Sequence, residues 1–470
     1  MLSINRDKCC YCGGCVGICP EEALTLMETE LQIDQDKCTL CEICVDLCPV
    51  KALGVGKEGL AKKPEIIEAD VVIIGAGPAG SICAKYLAEA GVSTLVVERR
   101  QEIGAPKRCA EGTSSLALEE AGVKINPVWV ANQVKGAVLY APNQDNVRSM
   151  AKGSGGYGVI IERKVFDKHL AKDAIKAGAK YMIKTTAKDV IKDHHQIKGI
   201  TTEQMGEEKR IMAKIVVAAD GVDSMIGRRA GLDTVNKLDK YMSCAQYEMA
   251  GVENLDEEVI HIFFGNRIAP KGYIWIFPKG HGIANVGVGI RIKKTPEKTA
   301  KDYLDSFIRD HPHLFQRAGA VEVNCGAVPV NPSLKTLVGD GLMIIGDAAH
   351  LVNPSSGAGI RFAMDSGRIA AEVAVEAIEK GDVTRKTLSK YQTRWDAKYG
   401  KFFKNRLKLQ RFVENLTDEN LNRLTKILTP ERLERVLAGK FGEIVSLLTK
   451  ETPFLKELAI KYLKSLKDSE

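Results

Sequence analysis

The sequence predicts a mixed α/β chain, α+β in its smaller parts, laid out in four stretches. These are a cysteine-rich unit over 1–56, a linker over 57–68, a large domain over 69–380 and a helical region over 381–470. Three observations carry the prediction. Eight of the thirteen cysteines fall in two matched runs near the start. A glycine-rich turn then sits between two strand-length apolar runs, with an acidic residue closing the second. From 381 onward the apolar positions recur at helical spacing.

The first run is Cys9, Cys12, Cys15 and Cys19, followed by Pro20; the second is Cys38, Cys41, Cys44 and Cys48, followed by Pro49. Each reads C-x2-C-x2-C-x3-C-P, the spacing of bacterial two-cluster ferredoxins. The short gaps let three thiolates converge on one iron–sulfur cube, while the fourth points away to the other. The expected ligand sets are Cys9, Cys12, Cys15 and Cys48 for one cluster, and Cys38, Cys41, Cys44 and Cys19 for the second. Asp7-Lys8-Cys9 recurs 29 residues later as Asp36-Lys37-Cys38, so the unit is a repeat whose halves share ligands. Zinc sites rarely use this pattern twice with a proline after each. Disulfides need an oxidising compartment, and no secretory signal precedes Cys9. Two 4Fe–4S clusters are therefore expected, with Cys10 outside the ligand sets.

A chain of 470 residues has room for two to four domains, and 45% apolar with 27% charged residues suits a globular protein. The longest apolar runs, such as Val71–Ile74 and Leu342–Ile345, are strand-length, so no membrane span is expected. A cytoplasmic location follows, with the inner face of the membrane as the one surface for peripheral contact. The net charge of +7 fits an anionic substrate or a lipid surface, and equally a solvated exterior. No basic cluster resembles a nucleic-acid motif, so no nucleic acid is expected as a partner.

The stretch Gly54–Gly59, running to Pro64, reads as flexible linker. Ten such residues reach roughly 35 Å, which leaves the separation of the clusters from the next domain open. A strand over Ile66–Ile74 then opens Gly75-Ala76-Gly77-Pro78-Ala79-Gly80 and passes into a helix over Ser81–Ala90. A second strand, Ser93–Val97, ends at Glu98 and Arg99. This is the full context of a Rossmann-like dinucleotide fingerprint. Gly75, Gly77, Ala79 and Gly80 let the backbone approach a pyrophosphate at the helix N-terminus, and Glu98 with Arg99 reaches the ribose.

Two later segments select the dinucleotide. A strand over Ile215–Ala219 leads into Asp220-Gly221. Another, Leu342–Ile345, leads into Gly346-Asp347-Ala348-Ala349-His350, then Asn353–Gly359 and a helix to about Ala377. Fingerprint, Asp-Gly strand end and Gly-Asp segment in this order resemble flavoproteins of the p-hydroxybenzoate hydroxylase class. The resemblance implies FAD, with Asp347 at its ribityl and phosphate region, Gly357, Gly359 and Ile360 against the flavin ring, and Asp220 among the cofactor-binding residues. Arg163–Asp167 is similar to the segment by which such chains return to the FAD domain. The β-rich substrate domain is expected as an insertion over approximately 130–160 and 235–330. Gly287-Val288-Gly289 lies in an alternating strand and is not a second phosphate loop. A nicotinamide thus has no evident site, and the clusters become the electron inlet for an external low-potential donor.

Within Pro270–Pro278, alternate strand residues share a face, so Tyr273, Trp275 and Phe277 form one aromatic wall with Ile274 and Ile276 behind it. Alone, such a strand is most often core. The pattern P-x2-Y-x-W-x-F-P resembles that of the geranylgeranyl reductase family, where it lines an isoprenoid cavity. Lys107–Gly112 is similar to the family stretch that sets a cysteine, here Cys109, beside flavin and substrate. Lys107 and Arg108 would lower its pKa if they turn towards it. The resemblance covers roughly 69–380 and implies saturation of double bonds in geranylgeranyl chains of archaeal-type ether lipids (digeranylgeranylglycerol phospholipid). Cys109, His350 and ordered water are the candidate proton sources. The N-terminal unit departs from many family members and favours ferredoxin-type electrons over a nicotinamide.

Ala397–Val413 holds six Lys or Arg and no acidic residue, interleaved with Phe402, Phe403, Leu409, Phe412 and Val413. Such a basic amphipathic helix either lies on an anionic membrane or packs its apolar face on the protein. The rival readings are an electron-transfer flavoprotein–quinone type oxidoreductase, an aromatic hydroxylase and a non-catalytic electron-transfer module. The N-terminal two-cluster arrangement, the exposed clusters and the aromatic strand argue against them in turn.

Overall fold

Two cysteine loops shape the first unit. Each ends in a short helix, Gly14–Ile18 and Ile43–Leu47, and the unit closes with two antiparallel ladders, Leu2–Ile4 with Leu53–Val55 and Leu24–Met27 with Glu30–Ile33. The repeat is written into the backbone as well. Left-handed residues at Tyr11, Gly13 and Glu22 recur at Leu40, Glu42 and Lys51, each 29 positions on. Leu2, Leu24, Leu31 and Leu53 form a small core between the loops. The computed structural model describes residues 1–56, 64–150, 157–235, 237–291 and 297–437; the expected linker over 57–63 and the expected helix beyond 437 lie outside these.

The large domain is built on a sheet with strand order Lys180–Met182, Thr94–Val97, Glu65–Ile74, Glu207–Ala218, Gln196–Gln204, Thr185–Asp193, and Leu342–Ile344 adds in parallel to Glu207–Ala218. Its central strands pair in parallel, and parallel strands are buried on both faces. Val71, Val72 and Ile73 accordingly run apolar without alternation and are fully buried. The helices Pro78–Glu89 and Ile360–Glu379 pack on the sheet and on each other. A Cβ at Gly367 would stand 2.3 Å from the Ala79 carbonyl, so that helix crossing tolerates only glycine. The first strand begins at Glu65 rather than after the expected linker end at 68, because the ladder extends to Glu65 opposite Lys209, with an ion pair of 2.5 Å.

A second sheet of seven strands runs Asn146–Met150, Gly136–Tyr140, Val259–Phe264, Tyr273–Gly280, Ile283–Arg291, Tyr241–Ala250 and Gly319–Pro329. Ile274, Ile276, Val286 and Val288 bury one face against the capped helix Ala300–Asp310. Val130–Val134 and Gly158–Ile161 depart from the expected insertion. They form a separate three-stranded sheet with Gly112–Ser114, because Gly158–Ile160 pairs with that strand as well as with Val130–Val134. This small sheet anchors the loop that carries Cys109.

Beyond 381 the chain is helical. Arg385–Trp395 passes through a widened turn at Asp396–Gly400 into Lys401–Glu414, followed by Asp418–Ile427 and Pro430–Leu437. Phe362, Trp395, Tyr399 and Phe403 meet ring against ring at this bend. The apolar side of the basic helix faces the protein, with Phe403 buried and Phe402, Leu409, Phe412 and Val413 bordering a cavity. No helix among the described residues is long and apolar enough to cross a membrane.

Candidate active site

A cavity of about 1580 Å³ extends from the glycine turn, along the second sheet, to the C-terminal helices. Its nucleotide end is defined by backbone contact. Gly75 has φ +107, and a Cβ there would meet the Ala219 carbonyl at 2.3 Å; a Cβ at Gly80 would meet the Gly75 carbonyl at 1.9 Å. Only glycine lets this turn close on itself. At Gly77, by contrast, a Cβ would meet no protein atom, which leaves room for a phosphate ahead of Pro78–Glu89. Glu98 stands at the end of the second strand and accepts from the backbone of Ala76 and Arg100, both at 2.9 Å. Arg99 pairs with Asp223 at 2.6 Å.

Two partly buried acids complete this end. Asp220 accepts from the Ile226 amide at 3.0 Å, while its other oxygen is buried without a partner. Burial raises its pKa, and the Ile226 amide offsets part of the rise. Burial likewise raises Asp347, partly offset by Arg163. Gly359 approaches Asp347 so closely that a Cβ there would lie 3.2 Å from the carboxylate. The open space at the helix start, Glu98 at the end of the second strand and the unpartnered oxygen of Asp220 fit a dinucleotide such as FAD. Gly77, Ala79, Arg99, Asp220, Asp347, Gly357, Gly359 and Ile360 line the cavity; Gly75, Gly80 and Glu98 shape the turn from behind.

Tyr273, Trp275 and Phe277 line the same cavity, with Ile274 and Ile276 fully buried behind them. The wall is fastened at both ends. The Tyr273 hydroxyl donates to the Ser356 carbonyl, on the loop before Gly357. The Trp275 indole donates to Gln246 at 2.9 Å, and Gln246 donates in turn to the Cys109 carbonyl at 3.0 Å. Trp275 lies opposite Gly287 in register, where a Cβ would stand 2.3 Å from the ring.

Cys109 faces the cavity, and its Sγ accepts from the Glu111 amide at 3.2 Å. Its pKa is raised, because the condition for lowering it, Lys107 and Arg108 turned towards the sulfur, is not met. Burial dominates, and the cation that partly offsets it is Arg163. Lys107 turns inward instead, to Glu111 at 3.0 Å and to Glu248. Arg163 is itself held by a two-point pair with Asp167, both contacts at 2.7 Å. Behind the loop, Lys279 meets Glu111, Glu162 and Glu248 at 3.1, 2.7 and 2.9 Å. Burial alone would raise Glu111, but Lys279 and Lys107 outweigh it and hold the carboxyl low. Glu111, Glu162 and Glu248 also form the one carboxylate triad tight enough for a metal among the described residues, and each of them is already paired with Lys107, Lys279 or both.

The structure places His350, one of the candidate proton sources, away from the cavity. It is 1% exposed, does not line the cavity, and burial lowers its pKa to about 4. Its turn after Gly346–Ala349 directs the ring into the core, with φ +57. Arg163, Gln246, Glu111 and Lys279 were not singled out from sequence. A signal existed for Lys279, which continues the alternating face of Tyr273, Trp275 and Phe277.

In the N-terminal unit, the sulfurs that add to the raised pKa of Cys44 after burial are those of Cys19, Cys41 and Cys38; at Cys15 they are those of Cys9 and Cys12. The grouping at Cys44 is the crossed one. No three cysteine ligand atoms among the described residues lie within 4.8 Å of one another. The unit rests on the large domain through Tyr11, 5.5 Å from the Lys184 ammonium, and through Asn5 and Lys8 beside Gly206. The Lys184 amide donates to the Arg100 carbonyl, two residues beyond Glu98, so the contact lies at the end of the second strand.

The catalytic-domain model of geranylgeranyl reductase matches residues 240–328, the stretch that holds the aromatic wall. A pyridine nucleotide-disulphide oxidoreductase model matches 69–260, and a 4Fe-4S binding model matches 2–25 and 31–54. The chain is 41% identical to digeranylgeranylglycerophospholipid reductase 2 of Methanopyrus kandleri over 85% of its own length and 100% of the relative's. The chain belongs to the geranylgeranyl reductase family. It is also 41% identical to the digeranylgeranylglycerophospholipid reductase of Methanocaldococcus jannaschii, over 82% of this chain and 96% of that protein. Among solved structures, a geranylgeranyl bacteriochlorophyll reductase-like protein from Thermoplasma acidophilum superposes with TM-score 0.76 at 36% identity, covering 82% of this chain and 99% of the other. As a family member the protein is an FAD-dependent oxidoreductase with 4Fe–4S clusters feeding electrons in.

Proposed function

We propose that this reductase saturates the double bonds of geranylgeranyl chains on an archaeal-type ether phospholipid, the class named in its relatives. One observation carries the reading: the aromatic wall of Tyr273, Trp275 and Phe277 borders an apolar cavity continuous with the nucleotide turn. At about 1580 Å³ it exceeds the roughly 300–1,000 Å³ of a pocket for one small ligand, leaving room for a dinucleotide and a long chain together. Bound FAD supplies the hydride chemistry, and the clusters supply single electrons from an external low-potential donor.

The chain's own residues have three tasks. The wall and the C-terminal helices hold an alkene in place and keep water out. An isolated alkene has no carbonyl to take up charge, so a proton must reach the second carbon. Cys109, kept as a thiol by burial, is positioned to hold that proton at Sγ. After release, the sulfur is stabilised by the Glu111 amide and the Arg163 guanidinium. The exposed Lys401, Lys404 and Lys408 of the basic helix support peripheral contact with an anionic membrane at its cytoplasmic face.

The test is anaerobic incubation of dithionite-reduced protein with geranylgeranyl ether lipid, read by mass spectrometry. The expected product gains one H2 per reduced double bond; reduced quinone with unaltered lipid would sink the reading.

A further inference from the structure

Next to the apolar cavity lies a second chamber of about 320 Å³, and the two share Lys271, Val330, Gln410 and Glu414 in their walls. Its chemistry is different. Lys240, Lys271, Arg291 and Arg411 face it, against only two carboxylates, Asp239 and Glu414. Both carboxylates are already engaged: Glu414 pairs with Arg291 at 2.7 Å, and Asp239 lies 3.3 Å from the Lys240 ammonium. Lys271 and Arg411 have no carboxylate partner among the described residues. On the shared wall, Gln410 is 7% exposed, and its Oε1 is buried without a partner.

The position of these groups follows from the elements that carry them. Lys271 sits in a left-handed turn, φ +53, two residues before Tyr273, so its cation marks the end of the aromatic wall. Gln410 and Arg411 lie on Lys401–Glu414, the same helix that turns Leu409, Phe412 and Val413 towards the apolar cavity. The apolar cavity therefore gives way, on both of its walls at once, to a cationic chamber with uncommitted donors.

We propose that this chamber binds the phosphate of the lipid head group while the chains occupy the apolar cavity. Lys271 and Arg411 make charge-assisted hydrogen bonds to the phosphate oxygens. Gln410 Oε1 accepts from a head-group or glycerol hydroxyl. This assignment rests on the lipid reading above and deepens it, because it explains how an enzyme built around an apolar chain would recognise a phospholipid.

The test compares kcat/KM of the reduced holoenzyme for digeranylgeranylglycerol phospholipid and for the head-group-free digeranylgeranylglycerol. The expected wild-type preference is for the phospholipid. Lys271→Ala and Arg411→Ala each lower that preference ratio about tenfold, and Lys271→Arg keeps it. Flavin absorbance reports that the variants remain folded. An equal ratio in the wild type and the double variant overturns the proposal. Inorganic phosphate is the second arm. If calorimetry shows it bound in the wild type and lost in the double variant, while the wild type shows no lipid preference, the chamber is a free-anion site and the head-group assignment fails. If the wild type reduces neither lipid, it is the lipid reading itself that fails.

Discussion

Gly287→Ala probes the aromatic wall without removing any group from it. The added methyl would stand 2.3, 2.4 and 2.8 Å from Cζ2, Cε2 and Nε1 of Trp275. Carbon contacts settle at about 3.5–4.0 Å, so the indole must retreat by more than about 1 Å. The open direction is the cavity. The movement stretches the 2.9 Å bond to Gln246 beyond hydrogen-bonding range, a loss of about 1 kcal/mol, and it fills cavity space proposed for the lipid. Together these cost about 1–2 kcal/mol of lipid affinity, a factor of roughly 5 to 30. FAD content stays the same, because Gly287 lies in the second sheet and the glycine turn in the first. The assay is anaerobic titration of holoenzyme with geranylgeranyl lipid, followed by flavin absorbance. In a Trp275→Ala background the same substitution should have no further effect, since there is no ring left to displace. Unchanged affinity in the native background, or an equal loss in both, would refute the assignment of Trp275 to the lipid wall.

Cys109→Ala should retain flavin and lipid binding but slow alkene reduction; equal turnover would remove the thiol from proton transfer. Lys279→Met leaves the buried Glu111 short of a cation and should cost about 3 kcal/mol, read as a lower urea midpoint, with partial recovery when Glu111→Met is added. His350 is buried with a pKa lowered to about 4 from 6.5, so the unfolded chain binds its proton first. Its contribution is complete above pH 6.5 and is lost as pH falls towards 4, by about 3 kcal/mol in all. His350→Asn, a residue that tolerates the left-handed turn, should flatten stability across that interval, and an unaltered pH profile would contradict the burial argument.

What the sequence revealed was mostly local. Gly75 and Gly80 are required by contacts within one turn and its neighbouring strand, and the cysteine loops wrap around their own spacing. The same holds for Tyr273, Trp275 and Phe277, whose alternation is a property of one strand. What stayed hidden depended on long-range placement. Arg163 reaches Cys109 from a helix 54 positions on, whereas Lys107 and Arg108, the sequence neighbours, turn to buried carboxylates and to solvent. The condition for a lowered Cys109 pKa, that Lys107 and Arg108 turn towards the sulfur, is therefore not met. The basic helix showed an apolar face, but amphipathicity does not say what covers that face. Here it is the far wall of the cavity. His350 follows a flavoprotein-like segment yet turns away from the cavity, because the turn after Asp347 inverts its backbone.

Electrons entering at the N-terminal clusters are proposed to leave through the flavin to an alkene. The most direct test of this route is rapid anaerobic mixing of fully reduced holoenzyme with geranylgeranyl ether phospholipid or with its fully saturated counterpart, following flavin oxidation and lipid mass together. The expected result is flavin oxidation with the unsaturated lipid alone, matched by one H2 gained per double bond and followed by flavin re-reduction from the clusters. Flavin oxidation at equal rates with both lipids, or none with either, would contradict it.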